Sequence, residues 1–427
     1  MFAFRVPHLD LHLEYMLFPP KLRWFYLSQA FRTIAISMVS LFVPVFLYLR
    51  VEEISRASGL FQLVTIQDGP SLYTALGVII IAVFYAIARA VSMALLFPLS
   101  KLMHKYGLIW GMIIGNLSLL ASFVCLLLAE WNPITLVFAS FFTGLEMASY
   151  WVPYYTVFSA FAELDKLGEE VSGLVMIEKL GRVMAPVLGA MIATVFGFQV
   201  LYVTGVILMI LAINAIFMLP SVKANTDVRW KEFERWIKQP QSPRIAVAFT
   251  GRLFELLALL AWPVFVFEIV KSISVVGFVA SISGVLSLLV TYFTGVWLSK
   301  HRGRFLYFLS GFILSFLWLI RLLVRVPMHI LAVDAADRMI ASINQPIFDV
   351  MFIKQARLSR LFHFFTYREI ILNVTALVFW LVVIVFAFFG FGWYAVFVLA
   401  ALGTLMSMVM PIDRKAKIVA PGDGNDG

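Results

Sequence analysis

The chain has 427 residues, 62% of them hydrophobic and only 13% charged, with a net charge of +9. Soluble domains carry roughly 45–50% apolar and about 25% charged residues, so this composition cannot build a water-facing surface and lipid must be the outer solvent. The single cysteine, Cys125, excludes a disulfide framework and any multi-cysteine metal site.

In chain order, Met1 to Tyr15 mixes His8, Asp10, His12 and Glu14 with apolar residues. No small-residue cleavage site follows, so this stretch reads as an amphipathic segment on the membrane surface. Crossing the hydrocarbon core takes about 20 apolar residues in helical form. Twelve such runs fall near 24–50, 72–98, 107–129, 134–161, 172–196, 198–220, 244–269, 273–299, 303–325, 328–353, 364–389 and 391–411. Their length suits helices better than the alternating strands of a barrel. The expected organisation is an N-terminal six-helix bundle (1–220), an amphipathic linker (221–243), a C-terminal six-helix bundle (244–412) and a disordered tail (413–427). The linker carries Lys223, Arg229, Lys231, Arg235 and Lys238, with Trp230, Phe233, Trp236 and Ile237 on one helical face.

Lys and Arg crowd alternate loops. Placing the N-terminus inside puts about 22 of the 33 on the inner side and about five (Arg50, Arg56, Lys271, Arg321, Arg325) on the outer side. This positive-inside pattern predicts both termini in the cytoplasm, and the plasma (inner) membrane is the default setting for such a chain. It also accounts for the basic balance without a nucleic-acid partner.

The two halves echo each other. Arg32 precedes Pro44-Val45-Phe46 as Arg252 precedes Pro263-Val264-Phe265. Pro153 of the fourth run matches Pro346 of the tenth, and Phe196-Gly197-Phe198 matches Phe389-Gly390-Phe391. Leu99-Ser100-Lys101 matches Leu298-Ser299-Lys300. A common order of matches points to duplication, and two parallel six-helix halves form a transporter architecture.

With these features the chain resembles the major facilitator superfamily over essentially its whole length. The family's 2–3 loop motif is degraded to Ser100-Lys-Leu-Met-His104-Lys-Tyr-Gly107, with His104 where Asp is usual. The family's antiporter-type motif is better kept, as Gly181-Arg-Val-Met-Ala185-Pro186-Val-Leu-Gly189-Ala190. The resemblance implies an all-α membrane protein of twelve transmembrane helices, working by alternating access with a solute site between the halves. The motif implies antiport and efflux. The degraded loop leaves room for a transport-inactive scaffold with the same fold.

Charges at membrane depth are expensive, so they pair, face the interior or carry function. Arg32 and Arg252 are repeat-related. They either grip an anion, as the organic phosphate antiporters of this superfamily do, or form structural pairs with Glu178 and Glu369, and Glu255, one turn beyond Arg252, is an equal partner for it. Glu146 lies near the centre of the fourth run, and Asp334, Asp337 and Arg338 near that of the tenth. Glu146 and Asp337 are the candidate proton carriers, although Glu146–Arg89 and Asp337–Arg338 pairs would make them structural. Asp334 and Arg338, one turn apart, share a face. Arg89, Asn344 and Gln345 are candidate solute contacts, while Arg182 and Lys179 belong with the Glu178 network. Tyr150, Trp151, Tyr154 and Tyr155 either wall a cavity or simply pack. No nucleophile with a base, HExxH pair, phosphate-binding glycine loop or Gly-x-Ser-x-Gly elbow is present. The expected partners are a small solute, lipid and the proton, with no cofactor, no metal and no enzyme activity.

Overall fold

The computed structural model describes residues 22–57, 72–161, 167–220, 222–223, 228–298 and 304–411. The expected N-terminal amphipathic segment, most of the 8–9 loop and the tail from 413 lie outside these residues.

Among the described residues the chain is helical without strands, as backbone hydrogen bonding in lipid demands. The first half holds α1 (Arg23–Val39), α2 (Val43–Ala57), α3 (Leu72–Tyr106), α4 (Leu108–Leu128), α5 (Thr135–Phe161), α6 (Leu167–Val195) and α7 (Gly197–Ile216). A short helix, α8 (Trp230–Ile237), follows in the linker. The second half holds α9 (Ser242–Val270), α10 (Ile273–Leu298), α11 (Arg304–Ile320), a 3₁₀ turn (Arg321–Leu323), α12 (Pro327–Arg357), α13 (Leu361–Phe388) and α14 (Gly392–Ser407).

Each expected run is helical, with one correction. The first is broken at Ser40–Phe42 into α1 and α2. Pro44 has no N–H to return to the Ser40 carbonyl, so the ladder lapses there. By length and composition seven helical stretches suffice to cross a membrane: Arg23–Arg50, Thr74–Tyr106, Leu108–Leu128, Gly197–Ile216, Ser242–Val270, Phe305–Leu323 and Leu361–Phe388. The helices α5, α6 and α12 are long enough but more polar, and they hold Glu146, Glu178, Lys179, Arg182, Asp334, Asp337 and Arg338. The number of crossings stays an expectation of twelve.

The repeated Phe-Gly-Phe motif has a shared cause. Gly197 (φ 85°) ends the turn after α6 and Gly390 (φ 79°) the turn after α13. Both take the left-handed region that glycine enters without a Cβ penalty.

Two seams join the halves: α3 runs along α13, and α6 along α10. Small residues allow the second seam. A Cβ added at Gly277 of α10 would sit 2.7 Å from the Pro186 carbonyl oxygen; within the first half, one at Gly189 would sit 2.6 Å from that of Met38 in α1. The small residues of the 181–190 motif are therefore accounted for by close helix packing, which carries no information on transport direction. In the linker, α8 lies across one face of the molecule and touches both halves. Trp230 meets Phe97 at 5.9 Å between ring centroids, and Trp236 meets Tyr367 at 5.3 Å. Glu232 meets His363 Nε2 at 3.2 Å. That face is called the linker face below.

Candidate functional site

The charged residues sort into two clusters. In the first half Arg32 is fully buried and its guanidinium donates to Glu146 and to Asn116 Oδ1. It also lies 3.5 Å from the ring centroid of Tyr150, a cation–π contact in a desolvated setting. The Tyr150 hydroxyl donates to Gln29 Oε1 at 2.9 Å, and Gln29 Nε2 donates to Glu178 Oε1 at 2.8 Å. Tyr154 also donates to Glu178, and Arg182 closes the chain on Glu178 Oε2 at 3.0 Å. One continuous polar network thus runs from Glu146 to Arg182.

This corrects the expected pairing. Arg32 takes Glu146 rather than Glu178, while Glu178 is reached only through Tyr150 and Gln29. Arg89 donates to Asn373 Oδ1 of the other half at 3.3 Å, within electrostatic reach of both Glu369 and Glu146 but in no ion pair with Glu146. The Tyr150–Tyr155 aromatics stack on one another, and Tyr150 and Tyr154 serve the network.

In the second half Arg252 pairs with Glu255, one turn on, at 2.6 Å, and not with Glu369. Glu369 pairs with its neighbour Arg368 at 2.7 Å. Asn344 donates to the Tyr307 carbonyl and to Ser310 Oγ, so it ties α12 to α11. Asp337 does not pair with Arg338. Its partner is Arg321, at 3.3 Å. Arg338 Nε instead donates to Asp334 Oδ2 at 2.9 Å, the expected one-turn pair, and Trp262 Nε1 donates to Asp334 Oδ1 at 3.0 Å.

A cavity of about 220 Å³ lies where α6, α9, α10 and α12 meet, with Leu41 of the α1–α2 break in its wall. It brings together Lys179 and Arg182 from the first half with Asp334, Asp337, Arg338 and Gln345 from the second. Arg32, Arg252, Arg89 and Glu146 are not part of its wall. Ser342 spans the cavity by accepting from Lys179 Nζ at 3.4 Å.

Two groups of aromatic contacts join helices of the two halves. On the linker face Tyr155 of α5 stacks on Phe365 of α13 at 5.3 Å and meets Phe352 of α12 at 5.6 Å, with the Arg368 guanidinium 4.8 Å from its ring. On the opposite face Tyr48 of α2 meets Phe267 of α9 at 6.3 Å. Next to it Glu268 accepts from Trp393 Nε1 at 2.8 Å.

Two residues escaped the sequence reading. Arg321 looked like an outer-loop charge. Asp349 of α12 stands within electrostatic reach of Arg252, Glu178, Arg368 and Arg182, between the halves. An acid inside an apolar run was its available signal.

The sequence model of the Major Facilitator Superfamily matches residues 25–267, more than half of the chain. The chain belongs to that superfamily. No individual curated protein matches this facilitator in sequence. Solved structures match its fold. A POT family transporter in complex with 5-aminolevulinic acid superposes with a TM-score of 0.63 at 11% identity, covering 91% of this chain and 94% of its own. A D-xylose–proton symporter gives 0.60 at 12% identity, and the E. coli fucose:proton symporter 0.59 at 11% identity, each covering 91% of this chain and 97% of its own. This facilitator is an integral membrane protein with the fold of secondary transporters, which are not enzymes.

Proposed function

We propose that this facilitator is a proton-coupled secondary active transporter that carries a small solute through the cavity by alternating access. The observation that carries the reading is the cavity itself. It is lined from both halves and bears ionisable groups, and in this reading the Tyr155 and Tyr48 contacts between the halves part in turn, exposing it to one side at a time.

Asp337 is the coupling carboxylate in this reading. It lines the cavity and its ion-pair partner Arg321 comes from another element. Glu146 lies off the cavity and is held by Arg32, which makes it a structural group. Protonation of Asp337 biases the two states only as far as they hold the proton with different affinity. Two of the structural neighbours are named as proton symporters, which favours solute and proton moving together over the antiport and efflux expected from the 181–190 motif. An anion exchanger built on Arg32 and Arg252 has less support, because both guanidiniums are largely buried against carboxylates and neither lines the cavity. The Lys and Arg bias supports cytoplasmic termini.

The test is a pH-sensitive dye trapped in liposomes holding the purified protein, challenged with sugars, organic anions and drugs. Solute-dependent proton movement that disappears in Asp337→Asn supports the reading. Silence with every solute, from protein shown to be folded, overturns it in favour of a scaffold.

A further inference from the structure

We propose that the cavity takes a small organic anion with an apolar body, its head held between Arg182 of one half and Arg338 of the other. The inference rests on the transport reading above and adds the charge class of the solute.

What a ligand meets in a cavity is set by which polar groups remain accessible. Here the accessible charged ones are cations. The Arg182 side chain is 54% exposed and that of Arg338 30%, whereas those of Asp334 and Asp337 are 1% and 2%. Both oxygens of Asp334 are already occupied, by Trp262 and Arg338. Asp337, also in the wall, is paired with Arg321. The carboxylates thus hold the arginines in place and offer little to a solute. Lys179 stands beside Arg182 and adds to the positive potential.

Guanidinium groups present flat, multiple donors that match carboxylate or phosphate oxygens. Arg182 and Arg338 come from opposite halves, so an anion between them neutralises two like charges and ties the halves together. Most of the remaining wall is apolar, with Leu259, Trp262, Val266, Val276 and Val279 beside Ser287, Ser342 and Gln345. A fully hydrophilic anion would leave that surface poorly matched. At about 220 Å³ the space is smaller than the roughly 300–1,000 Å³ that accommodates drug-sized ligands.

The experiment is equilibrium binding of radiolabelled benzoate and phenyl phosphate to the purified full-length protein. Benzamide and benzylamine, of the same shape without the negative charge, serve as competitors. The expected result is saturable binding of at least one anion, with benzamide and benzylamine at least tenfold weaker. Arg182→Gln and Arg338→Gln should each lower anion affinity at least tenfold. Both variants leave their carboxylates hydrogen-bonded, Glu178 by Gln29 and Tyr154 and Asp334 by Trp262. The tighter of the two anions identifies the head group. Three outcomes overturn the proposal: benzylamine competing as well as the anions, both variants binding like the parent, or neither anion binding to protein with an intact unfolding transition. Proton-linked movement of a neutral or cationic solute in the liposome assay would then leave the transport reading standing. Anion binding with no transport of anything would instead sink the transport reading and keep the site.

Discussion

Arg321 and Asp337 form an ion pair at 3.3 Å in which the side chains are 0% and 2% exposed. The arginine comes from the 3₁₀ turn after α11 and the aspartate from α12. Two indoles flank the guanidinium, Trp318 at 3.6 Å and Trp262 at 4.5 Å from the ring centroids. Trp262 also donates to Asp334, so one tryptophan links both acids of the cavity wall.

Removing one partner of a buried pair strands the other charge, at a cost of about 3–5 kcal/mol. Arg321→Gln is expected to lose stability of that order in thermal unfolding of the detergent-solubilised protein. Replacing both partners, as Arg321→Met with Asp337→Leu, should restore most of it, because the apolar pair strands no charge. A double variant as unstable as the single one would show that the pair is not what the arginine contributes.

Proton and anion should bind cooperatively. Protonating Asp337 removes a negative charge facing Arg321 and leaves the wall more positive. Other charged groups around Asp337 are Glu255 from α9 and Asp334 and Arg338 from its own helix. Anion affinity should therefore rise as pH falls through the titration of Asp337, and by reciprocity a bound anion should favour its protonation. In Asp337→Asn the affinity should stay at its low-pH level throughout. A wild-type pH dependence in that variant would assign the proton to another group.

Tyr155 is expected to be the barrier on the linker face. Cys125 is the chain's single cysteine, so a Cys125→Ser background allows one reporter. Ser342→Cys, in the cavity wall, should react slowly with a methanethiosulfonate reagent, and adding Tyr155→Ala should raise the rate at least tenfold. An unchanged rate would place the barrier elsewhere.

Gly251 packs against Gly403, and an added Cβ would lie 2.6 Å from the Ser407 nitrogen. Backbone atoms cannot give way as a flexible side chain can, so Gly251→Ala should cost about 1–3 kcal/mol. Comparing unfolding temperatures with the parent tests this, and no loss would mean that α9 and α14 have room to separate.

The sequence alone determined what is local or compositional. Apolar content dictated lipid as solvent, and run length dictated helices. The repeats of Pro153 with Pro346 and Gly197 with Gly390 marked two related halves. The Asp334–Arg338 pair was legible because a four-residue spacing on a helix fixes which side chains meet. The tertiary structure alone decided which distant charges pair. Arg32 chose Glu146 over Glu178, and Asp337 chose Arg321 over the adjacent Arg338. It also decided that the cavity opens onto Arg182 and Arg338 and not onto Arg32 and Arg252. The physical reason is that such contacts depend on how each helix is rotated and tilted against its neighbours. Helical periodicity defines a face but not its partner, and only packing between helices selects one.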